Sequence, residues 1–273
     1  MISCEAFVSS LRRQGVTFFT GVPDSLLKDF CAYVSDQVPP SAHVVAANEG
    51  SALGLAAGAY LASGNPGLVY LQNSGLGNLV NPLTSLADPE VYSIPALLLI
   101  GWRGEPGVHD EPQHRKQGRV TLETLDALEI PYAILPDDFA QVEPVLVHAV
   151  QTAREKSAPF ALIVRKGLFE PYKLKKKVPD VFAMSREDAL KLIIDSLSGD
   201  EVVVSTTGMT SREVFEYREA QGAGHARDFL TVGCMGHASQ IAMGIALRKG
   251  SRQVYCLDGD GAVIMHMGAL AIT

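Results

Sequence analysis

One rhythm constrains this chain more than any other feature: short apolar runs alternate with helix-length segments almost from end to end. The runs "VTFFTGVP", "HVVAA", "PGLVYLQN", "IPALLLIGW", "PYAILP" and "PFALIVRKG" read as strands. Between them lie helix candidates such as "DSLLKDFCAYVSDQ", with Asp24 or Ser25 as N-cap, and the small-residue stretch "EGSALGLAAGAYLASG". Continuous apolar strands alternating with helices are the pattern of a parallel sheet covered on both faces. The expected class is therefore α/β, doubly wound around parallel sheets.

The rhythm is interrupted at "YKLKKKVPD" (Tyr172–Asp180), a lysine run with a proline, and then restarts. A lysine run is more often a solvated connection than a binding site. After it come helix "SREDALKLIIDSLS", strand "EVVVSTT", helix "TSREVFEYREA", strand "DFLTVG", helix "HASQIAMGIALRKG" and strand "QVYCLDGDG". The expected division is 1–170 for a first domain, 171–184 for a linker and 185–273 for a second. A complete doubly wound domain usually carries five or six strands; the second shows about three and is expected to be partial.

Composition removes several function classes. Thirty acidic residues against 23 basic ones give a net charge of −7, and with no basic stripe nucleic acid is not an expected partner. No apolar run has the length of a bilayer span, so no membrane association is expected. The N-terminus carries Glu5 and reads as an amphipathic helix with Phe7, Val8 and Leu11 on one face, not as a signal peptide. Cys4, Cys31, Cys234 and Cys256 have no CxxC spacing, which suits free thiols in a reducing cytoplasm and argues against zinc.

Four places could carry chemistry. Glu49 follows the apolar "VVAAN" and opens a helix of Ala, Gly and Leu. Helix dipole and capping would account for an acid there, while an apolar setting would also suit a proton-exchanging carboxyl. "QNSGLGN" (Gln72–Asn78) follows a buried strand; it is either a tight turn or a glycine backbone built to approach a ligand. "RGEPGVHDEPQHRKQG" (Arg103–Gly118) reads as a long polar loop beyond a strand's carboxyl end, either a solvated excursion or a ligand loop. "DGDGA" places Asp260 between Gly259 and Gly261 at a strand-to-helix turn, which suits a magnesium ion bridging to a diphosphate.

Taken together, "ANEGSALGLAAGAY", "QNSGLGNLVNPLTSL", "GWRGEPGVHDEPQH", "TTGMTSREVFE", "VGCMGHASQIAMGIAL" and "CLDGDGAVIMHMGAL" resemble the thiamine-diphosphate-dependent 2-oxo-acid decarboxylases. The likeness runs along essentially the whole chain, is nearest to the phosphonopyruvate branch, and has the sulfopyruvate branch as its next neighbour. It implies a pyrimidine-binding domain followed by a diphosphate-binding domain, with thiamine diphosphate and Mg²⁺ as cofactors. Glu49 matches the glutamate that shares a proton with the aminopyrimidine. Gly208, Gly233, Met235, Gly259, Asp260, Gly261 and Ala262 match cofactor-binding positions; Met235 would prop the bent cofactor, Gly233 would offer its carbonyl, and Asp260 would ligate the metal. The implied reaction turns 3-phosphonopyruvate, a small 2-oxo acid bearing a phosphonate, into phosphonoacetaldehyde and CO₂. Ser25, Arg103, His109, His114 and Arg115 are the expected substrate-binding residues. A homodimer or larger even oligomer is implied, with Glu49 and Asp260 of one site on different copies.

The family's metal motif opens with GDG and closes several turns later with an asparagine ligand and a backbone carbonyl, whereas this sequence runs to Thr273. The expectation is a piece of a longer decarboxylase. The alternatives are a sulfopyruvate-type enzyme, a short inactive form acting as an interaction or decoy subunit, or one part of a split enzyme.

Overall fold

A computed structural model describes residues 1–176 and 181–273. It divides into two compact units, Met1–Lys177 and Val178–Thr273. Among the described residues, no helix is long and apolar enough to cross a membrane.

The first unit is a six-stranded parallel sheet in the order β2-β1-β3-β4-β6-β5. Its strands are β1 (Phe19–Gly21), β2 (His43–Val45), β3 (Gly67–Gln72), β4 (Ala96–Gly101), β5 (Tyr132–Ile134) and β6 (Phe160–Val164). Every residue of β4 and β6 is buried, as expected for strands covered on both faces. Helices α1 (Cys4–Arg13), α2 (Lys28–Gln37), α3 (Glu49–Ser63), α4 (Leu76–Pro82), α5 (Pro112–Ala127) and α6 (Phe139–Lys156) supply the cover. One core gathers Phe7, Val8, Leu11 and Phe30 with Leu97 and Leu99; the other gathers Ala52, Leu53 and Leu79 with Leu98 and Ile100. Alternate residues of β4 thus face opposite cores, the two-residue period of a strand. Cys4 and Cys31 lie in the first core, and burial pushes both thiols up to about 12.

Two local expectations are corrected. Neither Asp24 nor Ser25 caps α2, which begins at Lys28 after Leu27 with no side-chain cap; Asp24 is instead drawn in against the sheet edge. The stretch 103–118 is not a loop throughout, because α5 starts at Pro112 with proline in its first turn, where its missing N–H costs nothing. Of the two readings of the segment after β3, the tight turn holds: a 3-10 turn at Asn73–Gly75 feeds directly into α4.

Residues 171–176 of the expected connection are held by the first unit. Tyr172 N donates to Asp29 Oδ1 at 2.9 Å, and Asp36 accepts from the Tyr172 hydroxyl, Lys175 N and Lys176 N. Residues 177–180 of that stretch lie outside the described residues.

The second unit has a three-stranded parallel sheet in the order β8-β7-β9. Its elements are α7 (Arg186–Asp195), β7 (Val202–Ser205), α8 (Met209–Gln221), β8 (Asp228–Leu230), α9 (Ala238–Arg248), β9 (Val254–Leu257) and α10 (Asp260–Met265). A full capping box between Ser185 and Asp188 starts α7. Leu190, Ile194 and Val214 cover one face of β7 at Val203; Ala238 and Ala242 cover the other at Val204.

Candidate functional site

In the first unit, chemistry-bearing residues follow the carboxyl ends of four neighbouring strands. Glu49 follows β2, Asp24 and Ser25 follow β1, Gln72 to Asn78 end and follow β3, and Arg103 follows β4. Ligands of open parallel sheets bind along this edge.

Glu49 opens α3 and is 4 % exposed. Asn48, the N-cap, accepts from Ser51 N at 2.8 Å, so the carboxylate itself is not spent on capping. Asn78 Nδ2 donates to Glu49 Oε2 at 2.7 Å. On the other side, a Cβ added to Gly75 would lie 2.2 Å from Glu49 Oε1. Gly75 has an ordinary right-handed backbone, φ −78°, so its glycine answers a demand for space. The "SGLGN" stretch is therefore a fitted bed for this carboxylate.

Beside it lies a network that the sequence does not reveal. Asp24 is 6 % exposed; its Oδ1 accepts from Gln72 Nε2 at 2.7 Å and its Oδ2 from Leu26 N at 3.0 Å. Burial pushes its carboxyl up, against the pull of Gln72, Leu26 and Arg103. A Cβ at Gly101 would sit 2.2 Å from Asp24 Oδ2, so β4 ends in glycine to admit it. Arg103 Nη1 donates to Ser25 Oγ at 2.7 Å, and Nε and Nη2, on one edge of the guanidinium, both donate to Asp110. Asp110 also accepts from Gly104 N and Glu111 N, both at 2.8 Å. The Arg103 guanidinium and these N–H groups hold its carboxyl well below the usual carboxylate range.

Of the five expected substrate residues, the structure brings Ser25 and Arg103 together. His114 is half-buried in the first turn of α5, and burial, followed by the charge of Arg103, lowers its imidazole. His109 and Arg115 are exposed. Gln72 and Asn78 bound a stretch the sequence marks for its glycines, but nothing in the sequence ties their side chains, or those of Asp24 and Asp110, to these partners. The proline two residues past Asp110 is a helix-start signal that could have shortened the loop and drawn notice to the acid before it.

In the second unit the expected cofactor residues gather at the carboxyl ends of β7, β8 and β9. Gly208 has φ 93° and ψ −138°, a backbone that only glycine adopts without strain. A Cβ on Gly261 would come 3.0 Å from Met235 Cε, so the β8–α9 loop meets the α10 turn. Gly233 is half-buried and Met235 is 38 % exposed. Gly259 lies beside Thr206, 3.6 Å from an added Cβ to its Cγ2. Thr206 is 4 % exposed and its Oγ1 has no hydrogen-bond partner among the described residues.

An orphaned hydroxyl next to a glycine turn fits the polar end of a diphosphate-bearing cofactor, and a bedded acid such as Glu49 fits its aminopyrimidine end. A metal finds less. Asp260 is exposed and its Oδ1 accepts from Gly261 N at 2.7 Å. No group of three or more His, Cys, Asp or Glu gathers among the described residues. Asp260 thus offers one ligand for a hard cation that takes about six oxygens.

The comparisons with known proteins agree with this architecture. Residues 3–130 match the family model "Thiamine pyrophosphate enzyme, N-terminal TPP binding domain", and residues 206–273 match "Thiamine pyrophosphate enzyme, C-terminal TPP binding domain". The phosphonopyruvate decarboxylase of Streptomyces viridochromogenes is 34% identical over 99% of this chain and 70% of its own length. That of Streptomyces hygroscopicus is 33% identical over 99% and 69%. The sulfopyruvate decarboxylase of Methanosarcina acetivorans is 26% identical over 97% and 70%. The chain thus spans about 70% of the length of these relatives. Among solved structures, the benzoylformate decarboxylase of Polynucleobacter necessarius shares the fold with a TM-score of 0.50 at 20% identity, over 78% of this chain and 40% of that one. With both domain models matched in order and a third of the residues shared with a relative over 99% of this chain, the chain belongs to the thiamine-pyrophosphate-dependent 2-oxo-acid decarboxylase family.

Proposed function

We propose that this protein decarboxylates 3-phosphonopyruvate to phosphonoacetaldehyde and CO₂ with thiamine diphosphate. Thiamine diphosphate, when bound, supplies an electron sink for the pair released as CO₂ leaves. Glu49 serves as its proton partner: a buried carboxyl bedded between Gly75 and Asn78 can hold or release a proton at one oxygen without full solvation. Thr206, Gly208 and the Gly259–Ala262 turn hold the diphosphate end, Met235 packs over that turn, and Gly233 offers its carbonyl nearby. Asp260 is the side chain that would touch a magnesium ion.

The substrate's anionic group is assigned to Arg103 and Ser25, with His114 at the margin of the same cluster and His109 and Arg115 able to screen its approach. Asp110 uses two of the five N–H donors of Arg103 and Ser25 a third, which leaves two for a phosphonate. Asp24, whose carboxyl is pushed up by burial, lies in the same cluster and accepts from Gln72 Nε2.

The observation that carries this reading is the bedded Glu49 in a chain one-third identical to two phosphonopyruvate decarboxylases. The sulfopyruvate relative supports a second substrate, 3-sulfopyruvate. The two acids differ in their tetrahedral anion. CO₂ release from each, measured with the purified protein, thiamine diphosphate and Mg²⁺, separates them: the expected result is a higher kcat/KM for the phosphonate, and the reverse overturns the substrate assignment.

The same reading makes the protein a homodimer or larger even oligomer, with Glu49 and Asp260 of each site drawn from different copies. Mixing inactive Glu49→Gln and Asp260→Ala proteins should then restore partial turnover; no recovery after proven subunit exchange overturns the shared site. Four free thiols accord with a reducing, cytoplasmic setting.

A further inference from the structure

The glutamate bed has two sides, and they are chemically unequal. On one side the Gly75 main chain comes so close that an added Cβ would lie 2.2 Å from Oε1, 2.5 Å from Cδ and 2.6 Å from Cγ. On the other, Asn78 Nδ2 donates to Oε2 at 2.7 Å. While Glu49 is ionised the amide cannot serve in the reverse orientation, because its carbonyl oxygen would then face a carboxylate oxygen with no proton between them. Asn78 itself is held in place: it sits in α4, and a Cβ on Gly50 would be 3.0 Å from its backbone oxygen and 3.4 Å from Pro82 Cγ. The start of α3 and the body of α4 thus approach closely enough to fix the Glu49–Asn78 pair.

An amide N–H only donates, so Oε2 is committed as an acceptor whether or not the carboxyl carries a proton. The proton, when present, belongs on Oε1. We propose that Asn78 is a positioning residue that reserves Oε2 of Glu49 and leaves Oε1 as the oxygen that exchanges the proton with the cofactor's ring nitrogen. The assignment rests on the reading of Glu49 as that proton partner. A freely rotating carboxyl would divide its time between two oxygens and several orientations, and proton transfer falls steeply when the partners leave hydrogen-bond reach.

The test compares Asn78→Leu, similar in size but with no donor, Asn78→Asp and Glu49→Gln. The first readout is hydrogen–deuterium exchange at C2 of bound thiamine diphosphate. Asn78→Leu is expected to slow it about tenfold or more, with cofactor Kd within about threefold of the parent. Asn78→Asp should also be slow at alkaline pH and recover as pH falls, since a protonated Asp is again a donor; the leucine variant should show no such recovery. The second readout needs no cofactor: in isotope-edited infrared spectra of the unliganded protein, Asn78→Leu should shift the Glu49 carboxylate stretch. Exchange within about twofold of the parent in Asn78→Leu, or a pH profile for Asn78→Asp parallel to it, overturns the proposal. Parental exchange in Glu49→Gln instead overturns the reading of Glu49 on which it rests.

Discussion

Arg103 and Asp110 meet through two parallel hydrogen bonds, Nε–Oδ2 at 2.8 Å and Nη2–Oδ1 at 2.5 Å, with side chains only 19% and 14% exposed. The second residue after β4 is thereby tied to the last residue but one before α5, and the intervening turn is closed by a single carboxylate.

Asp110→Asn should remove the charge-assisted part of this closure and destabilise the protein by about 2 kcal/mol at neutral pH. Because the folded carboxyl is held below its ordinary range, the parent's advantage is present above the unfolded pKa and is lost as pH falls through the folded one. Denaturant unfolding of parent and variant at several acid pH values checks this; a constant difference down to strongly acid pH would sink it.

Arg103→Ala should raise KM for 3-phosphonopyruvate by about tenfold or more, while a 2-oxo acid without a second anion, such as pyruvate, is little affected. Steady-state kinetics with both substrates decide it. An unchanged kcat/KM for the phosphonate would take Arg103 out of the substrate pocket.

Gly75→Ala should be costly although Gly75 has an ordinary backbone. The new methyl would meet Glu49 Oε1 at 2.2 Å, and relief by moving a buried carboxylate costs about 1–3 kcal/mol. A drop in Tm together with loss of CO₂ release is expected. Parental activity would show that the glutamate is not bedded as described.

Asp24 titrates in the opposite sense to Asp110. Its carboxyl is raised from 3.8 by burial, so its contribution to stability is present below the unfolded pKa and declines as pH rises through the folded value. Relative to Asp24→Asn, the parent should therefore lose stability between about pH 4 and the folded value, and its activity should exceed the variant's throughout. A stability difference that is flat in this range would exclude the buried titration.

Gly208→Ala should weaken thiamine diphosphate binding and destabilise the second unit by about 1–3 kcal/mol, because φ 93° with ψ −138° suits only glycine. Calorimetric titration of the unliganded protein with thiamine diphosphate measures the first effect and thermal unfolding the second. Parental values for both would mean that the turn relaxes without cost.

Much of this was legible in the sequence because it depends on local periodicity. Continuous apolar runs such as Ala96–Gly101 and Phe160–Val164 announce strands buried on both faces, and Glu49 after "VVAAN" announces an acid at a helix start. The α5 helix was obscured because its first turns are polar and its proline reads as loop, although proline is at home in a first turn. The local preference for Asp ahead of a helix makes Asp24 a cap candidate, and a long-range bond to Gln72 overrides that preference.

The sequence by itself determined the class of fold, the order of its two units and the acid and glycine turns on which a cofactor could rest, since each is written in a few neighbouring residues. Only the tertiary structure decided which residues share a site. Asn78 reaches Glu49 across 29 positions, Gln72 reaches Asp24 across 48, and Arg103 reaches Ser25 across 78. A parallel sheet sets the carboxyl ends of strands distant in sequence side by side, and the burial and hydrogen bonds that tune their side chains exist only once that sheet has formed.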